Sequence, residues 1–189
     1  MELVQVLHSR EKVTELHKAK MESFPQEVIV QSSKWTKALM HLLSCQMLIE
    51  GVGKEKAKQL THKYIYDFNY KIGKAAAEKA GNPTDLDSFM EEYCIKAMGN
   101  IPAVPPQEIV ERTAKRCVWG VRNCLYYEAV KKVKETFPEL TDPDTMEVFK
   151  ERCGMDEAWA NGFNPKMKFK RIKFALDGDD GCYFECEVE

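Results

Sequence analysis

The C-terminal stretch constrains the fold most. Met167–Leu176 and Cys182–Val188 both alternate apolar and charged residues, and Asp177-Gly178-Asp179-Asp180-Gly181 between them is made of turn formers. The pattern predicts an antiparallel hairpin. Pairing Leu176 with Cys182 sets Phe174 opposite Phe184 and Ile172 opposite Cys186 on one face. The other face then sets Lys173 opposite Glu185 and Arg171 opposite Glu187. One register therefore gives an apolar face and two opposite-charge pairs, each contributing about 0.2–1 kcal/mol. A one-residue slip would expose the apolar set. The apolar positions change from odd to even between Phe169 and Ile172, which predicts a β-bulge near Lys170 or Arg171. Cys182 and Cys186 point inward in this register, with Cys182 at the strand mouth, where sites collect.

The first half reads as helices. Glu2–Phe24 is polar with loose helical spacing and breaks at Pro25. Ser33 can cap a helix running to about Glu50, with Trp35, Leu39, Leu42, Leu43 and Met47 at core spacing. Lys54 to Lys79 is a longer helix with Ala57, Leu60, Tyr64, Phe68 and Ile72 along its expected core stripe, stopped by Gly81-Asn82-Pro83. Thr84 to Met98 forms a third. Ile101–Pro106 holds three prolines and marks a change of character. Glu108–Val118 fits a strand or a helix. Asn123–Phe137 is helical through Tyr126, Ala129, Val130, Val133 and Phe137. Asp142-Pro143 then supplies an N-cap and a first-turn proline for a helix carrying Met146, Phe149 and Cys153. The fold class is therefore α/β of the α+β type: a helical N-terminal half packed on an antiparallel sheet that closes with the C-terminal hairpin. A single domain over 1–189 is expected, with 1–100 helical and 101–189 containing the sheet and most of the cysteines.

Composition removes several function classes. At 189 residues the chain can bury a sufficient core without staples. Its net charge of −2 provides no strong field for nucleic acid or an anionic membrane, so neither is expected as a partner. The most apolar stretch, Ala38 to Gly53, is interrupted by His41, Gln46 and Glu50, too polar for a membrane span. Met1–Arg10 lacks the features of a signal peptide. Seven cysteines, an odd number, argue for thiols in a reducing compartment rather than a disulfide framework. A cytoplasmic protein is expected. A homodimer is compatible with the sequence but not required by it.

Candidate chemistry narrows to thiols. No phosphate loop, dinucleotide fingerprint, His-Glu-x-x-His or nucleophile elbow occurs. His8, His17, His41 and His62 all lie in the helical half and read as surface or half-buried helix residues, His62 the least ordinary of them. Cys117 precedes Trp119-Gly120, Cys153 precedes Gly154 and Asp156, and Cys182 opens the last strand. Two chemistries suit such a set. A thiolate could attack an electrophilic carbon if its pKa is lowered. Alternatively Cys117, Cys153 and Cys182, with Asp156 or a water, could hold zinc. Zinc is thus an option, and no cofactor is required.

Three segments also carry a resemblance. Arg116-Cys117-Val118-Trp119, then Cys153-Gly154-Met155-Asp156-Glu157 running into Gly162-Phe163-Asn164-Pro165, then Gly178-Asp179-Asp180-Gly181-Cys182-Tyr183-Phe184, stand in the order and spacing of a known family. They resemble the family named for L-2-amino-thiazoline-4-carboxylic acid hydrolase, over about Leu39 to the C-terminus. The closing hairpin is also similar to the vinyl-reductase-type ligand-binding domain, whose members bind small apolar molecules, some with a cysteine-held zinc. Phe174 stands where that group's pattern has a further Cys. The first resemblance implies a hydrolase of a C–N or C–S bond in a small heterocycle, opening the ring by adding water across C=N. It implies Cys117 or Cys153 near the carbon, Asp156 as general base or ligand, and Trp119, Trp159 and Asn164 around a flat substrate. The alternative is a small-molecule sensor or carrier whose cysteines hold a structural zinc or only fill the core.

Overall fold

The computed structural model describes residues 26–98, 107–122 and 124–188. The helix expected over 2–24 and the proline-rich link at 101–106 lie outside them. Two long helices come first, α1 Gln26–Val52 and α2 Lys54–Lys79. Helix α3, Leu86–Met90, continues as a π-helix over Glu91–Met98. Strands β1 Glu108–Arg112 and β2 Arg116–Val121 follow, then α4 Leu125–Thr136 and α5 Pro143–Lys150. A short 3-10 turn, Glu151–Gly154, feeds α6 Met155–Phe163, and β3 Lys168–Lys173 and β4 Cys182–Glu187 close the chain. The four strands form one antiparallel sheet in the order β1-β2-β4-β3. The α+β reading holds, and the ambiguous segment after residue 108 is the β1–β2 hairpin.

Local signals explain most element ends. Asp85 caps α3 through Ser88 N at 2.8 Å. Asp142 accepts from the amides of Asp144 and Thr145, with Pro143 in the first turn of α5, as expected. Ser33, by contrast, lies inside α1 rather than at its start. Helix α6 is an element that apolar spacing did not mark.

The core has two parts. One lies among helices: Ala38, Leu42 and Cys45 of α1 meet Val130 and Val133 of α4 and Val148 and Phe149 of α5. The other joins α3, the π-helix and α6 to the sheet through Phe89, Tyr93, Trp119, Trp159, Phe163 and Phe184. Helix α2 corrects the sequence reading. It buries Ala57, Thr61, Asn69, Gly73 and Ala77, while Tyr64 and Phe68 are 66% and 64% exposed and Ile72 is exposed too. The close approach of α6 selects small residues on the buried face, so the bulky stripe is left facing outward. Phe68→Gln is accordingly expected to change unfolding free energy by no more than about 0.5 kcal/mol in urea titrations. A loss several times larger would mean the stripe is covered.

The last hairpin forms, but in a different register. Phe169 pairs with Cys186, Lys170 with Glu185, Lys168 with Glu187 and Arg171 with Phe184. The ladder is offset by three residues from the expected one, and the charge pairing is kept by a different set of basic residues. The reason is the connection. Ala175–Asp177 make a 3-10 turn ending at Gly178 (φ 102°), and Asp179 accepts the Phe174 N–H at 2.6 Å, so Phe174 leaves the ladder. The irregularity falls between Arg171 and Lys173, one residue beyond the expected bulge, with Ile172 exposed. This register turns Arg171 to the core side of the sheet, beside Phe169 and Phe184, rather than outward against Glu187.

Candidate active site

Directly opposed residues in an antiparallel ladder share a face. Cys117 opposes Cys186 and Trp119 opposes Phe184, so these four, with Phe169 and Arg171, line the inner side of the sheet. Tyr93 of the π-helix and Asp156 in the first turn of α6 approach this side. The Tyr93 hydroxyl donates to Asp156 Oδ1. Aromatic rings hold that phenol in place: Tyr93 lies 4.8 Å from Trp159, 5.5 Å from Phe89 and 6.3 Å from Trp119, centroid to centroid.

The electrostatics single out Asp156. Enclosure of its carboxyl raises the pKa above the usual carboxylate range, while the Tyr93 hydrogen bond and the Arg171 charge pull it partly back. Burial, then the facing carboxylate, pushes the Tyr93 phenol well up. Arg171 anchors through Nη2 to the Cys153 carbonyl. Its guanidinium lies 4.3 Å from the Phe174 centroid and 6.0 Å from that of Phe184. The Nε of Arg171 is buried with no partner.

The thiols separate into groups. Cys117 and Cys186 oppose each other across the ladder, inside the core. Their interaction favours ionisation of Cys117 and pushes Cys186 far up, so the pair holds at most one thiolate. Cys153 and Cys182 are half-buried; Cys182 and Cys124 act electrostatically on Cys153, and Cys124 on Cys182. Burial pushes both thiols up, and Arg171 only partly offsets this. Among the described residues no three His, Cys, Asp or Glu side chains form a group that could hold a metal ion. Cys117, Cys153 and Cys182 do not come together as such a group, Cys117 being opposite Cys186 in the core.

The remaining expected site residues are placed differently from their proposed roles. Trp119 and Trp159 are buried in the aromatic cluster behind Tyr93, where they position the phenol. Asn164 spends its amide on backbone, donating to Thr84 O at 2.9 Å and accepting from Lys166 N at 3.0 Å. It ties the end of α6 to the loop before α3. A pocket of about 240 Å³ opens beside Arg171, lined by His62, Lys150, Glu151, Gly154, Glu157, Phe169 and Arg171. Its aromatic wall is Phe169. Sequence reasoning missed Arg171 and Tyr93. The expected register turned Arg171 outward, and Tyr93 has the spacing of an ordinary core residue.

The family profile described as L-2-amino-thiazoline-4-carboxylic acid hydrolase matches residues 32–186. The chain belongs to this family. The match to the hydrolase family begins in α1 and ends in β4, so it includes Tyr93, Asp156, Arg171 and every residue of the pocket. No curated protein matches the chain. No described helix is long and apolar enough to cross a membrane.

Proposed function

We propose that this protein hydrolyses a C–N or C–S bond in a small carboxylate-bearing heterocycle of the thiazoline type, with Asp156 as general base. The observation that carries the reading is the enclosed Asp156 carboxylate, held by Tyr93 and acted on by the charge of Arg171, which lines the neighbouring pocket. The family supports the substrate class. The pocket volume suits one small ring, since sites for drug-sized ligands run to roughly 300–1,000 Å³.

In this reading Asp156 takes a proton from water as the water oxygen bonds to the carbon of the protonated C=N group, whose π electron pair moves onto the ring nitrogen that already carries its proton. The tetrahedral carbon then breaks its bond to a ring heteroatom, which leaves with the proton returned by Asp156, while the new hydroxyl forms the carbonyl and releases its own proton to water, balancing the one the amidine brought. Water is consumed and the ring opens. A carboxyl with a raised pKa suits both transfers, because a base nearer the working pH both accepts and returns a proton readily. Tyr93 keeps the carboxylate oriented throughout. The upward shifts of Cys153 and Cys182 support water rather than a half-buried thiolate as the attacking group. Seven free thiols support a reducing, cytoplasmic setting.

The test is ring opening of 2-aminothiazoline-4-carboxylate, followed by chromatography with purified protein. Turnover is expected in the wild type, and Cys153→Ser is expected to keep kcat within about threefold, whereas loss of a nucleophile costs several orders of magnitude. Absent turnover would leave the carrier reading standing. Abolished turnover in Cys153→Ser would transfer the attack to the thiol.

A further inference from the structure

The pocket beside Arg171 draws on several elements: α2 supplies His62, the end of α5 and the following turn supply Lys150, Glu151 and Gly154, α6 supplies Glu157, and β3 supplies Phe169 and Arg171. Its charges can be sorted by partner. His62 Nδ1 lies 2.9 Å from Glu151 Oε2, and Lys58 approaches the other oxygen of Glu151 at 3.8 Å. Lys150 is bonded to Asp177. Two groups on the wall have no ion pair within 4 Å among the described residues, the exposed Glu157 carboxylate and the Arg171 guanidinium, whose charge also acts at longer range on Asp156. Arg171 is fixed by its bond to the Cys153 carbonyl and by the Phe174 and Phe184 rings, so it cannot readily leave for water, yet its Nε has no acceptor. Arg171 nonetheless lines the pocket, where its charge can meet a ligand acceptor.

We propose that this pocket is a binding site for a small zwitterion, its carboxylate on Arg171 and its cationic nitrogen on Glu157, with its body against Phe169. A planar carboxylate matches the donor fork of a guanidinium. A simple anion would meet Arg171 but be repelled by Glu157 and Glu151. A simple cation would meet Glu157 but be repelled by Arg171 and Lys150. Lys150 and Arg171 stand against Glu151 and Glu157 on the wall, two cations and two carboxylates, so a ligand with one charge of each sign fits. An aminothiazoline carboxylate, whose amidine carries a proton, is one such molecule. The proposal rests on the hydrolase reading only for this choice of probe.

Calorimetric titration of the Asp156→Asn protein, in which turnover is suppressed, tests it with three probes: 2-aminothiazoline-4-carboxylate, its methyl ester, and the ring acid lacking the 2-amino group. The zwitterion is expected to bind at least about tenfold more tightly than either analogue, the ~1.4 kcal/mol scale of a single charged contact. Adding Arg171→Gln should remove the preference for acid over ester, and adding Glu157→Gln the preference for the amino-bearing ring. Arg171→Lys, which keeps the charge but not the fork, should give intermediate affinity and serves if the Gln variant does not fold. Equal affinity for all three probes, no saturable binding, or variants that weaken every probe alike would overturn the proposal. Charge discrimination without ring opening by the wild type would sink only the hydrolase reading. Ring opening without charge discrimination would sink only this one.

Discussion

Asparagine at position 156 is expected to lower kcat for ring opening by roughly two to four orders of magnitude, the usual contribution of a positioned general base. The thermal midpoint at neutral pH should stay level or rise. Both effects come from the same enclosure. Burial penalises the ionised carboxylate and lifts its pKa above the ordinary 3.8, leaving a stronger base than a solvated aspartate. Activity should therefore rise with pH through that raised pKa and level off above it. Stability runs the other way. A folded-state carboxyl pKa above the unfolded value means that the native state binds the proton more tightly, so this group favours folding most at low pH. That contribution is lost as pH rises from the ordinary carboxylate range through the raised value. Asparagine avoids the loss and still accepts the Tyr93 hydrogen bond. The stability difference between Asp156→Asn and wild type should grow across that window and then stay constant, as read from thermal melts at several pH values. Tyr93→Phe removes a bond that lowers the Asp156 pKa, so the acid limb of the kcat profile should move to higher pH. Unchanged kcat in Asp156→Asn would end the general-base role. A collapse of the melting temperature would make Asp156 a structural residue instead.

The catalytic side of this site was only partly legible in the sequence. Asp156 stood out because it follows a cysteine and a glycine at an element boundary. Arg171 did not, because its direction depends on a register that local pairing rules left open. The apolar phase change near Ile172 was the available signal, and it does mark the irregularity. Taking the odd phase, with Phe169 inward, would have brought Arg171 inward as well. The alternating pattern favoured the even phase because Phe174 and Leu176 fit a continuing strand. Only the 3-10 turn over Ala175–Asp177 removes them, and its cause is the Asp179 side chain reaching back to the Phe174 amide. The thiols misled for a related reason. Cys117 sits beside an arginine in sequence, but neighbours on a strand face opposite sides, and its own side meets Cys186.

Among the helices, long elements with capping signals were legible and the tight crossing was not. The bounds Lys54 and Lys79 of α2 follow from the glycines and proline around them. Its buried face does not follow from hydrophobicity, because closeness to α6 demands small residues there. Tyr64, Phe68 and Ile72 gave the stronger periodic signal and are on the outside. Helix α6 itself was hidden by its length and by Gly162, which lowers helix propensity.

Gly162 is also where the largest stability loss is expected. A β-carbon built there would sit 2.1 Å from the backbone oxygen of Tyr70, and one built at Gly73 would sit 2.1 Å from the backbone oxygen of Trp159. Each glycine faces the other helix's main chain, so no side chain can swing aside and the helices must separate. Gly162→Ala and Gly73→Ala should each cost about 3 kcal/mol or more in urea unfolding, at or beyond the upper end of overpacking. This outweighs the ~1 kcal/mol gain in helix propensity. Gly51 in α1 supplies the control: nothing lies within 4 Å of a β-carbon there, so Gly51→Ala should be neutral or stabilising by up to about 1 kcal/mol. The double variant should cost less than the sum of the singles, since one separation accommodates both methyl groups. The consequence reaches the site, because α2 carries His62 while α6 carries Asp156 and Glu157. Moving α6 off α2 would widen the pocket between them, and any folded fraction of Gly162→Ala should show a raised KM along with its lower stability. Destabilisation below about 1 kcal/mol would mean that the crossing is looser than a contact between main chains.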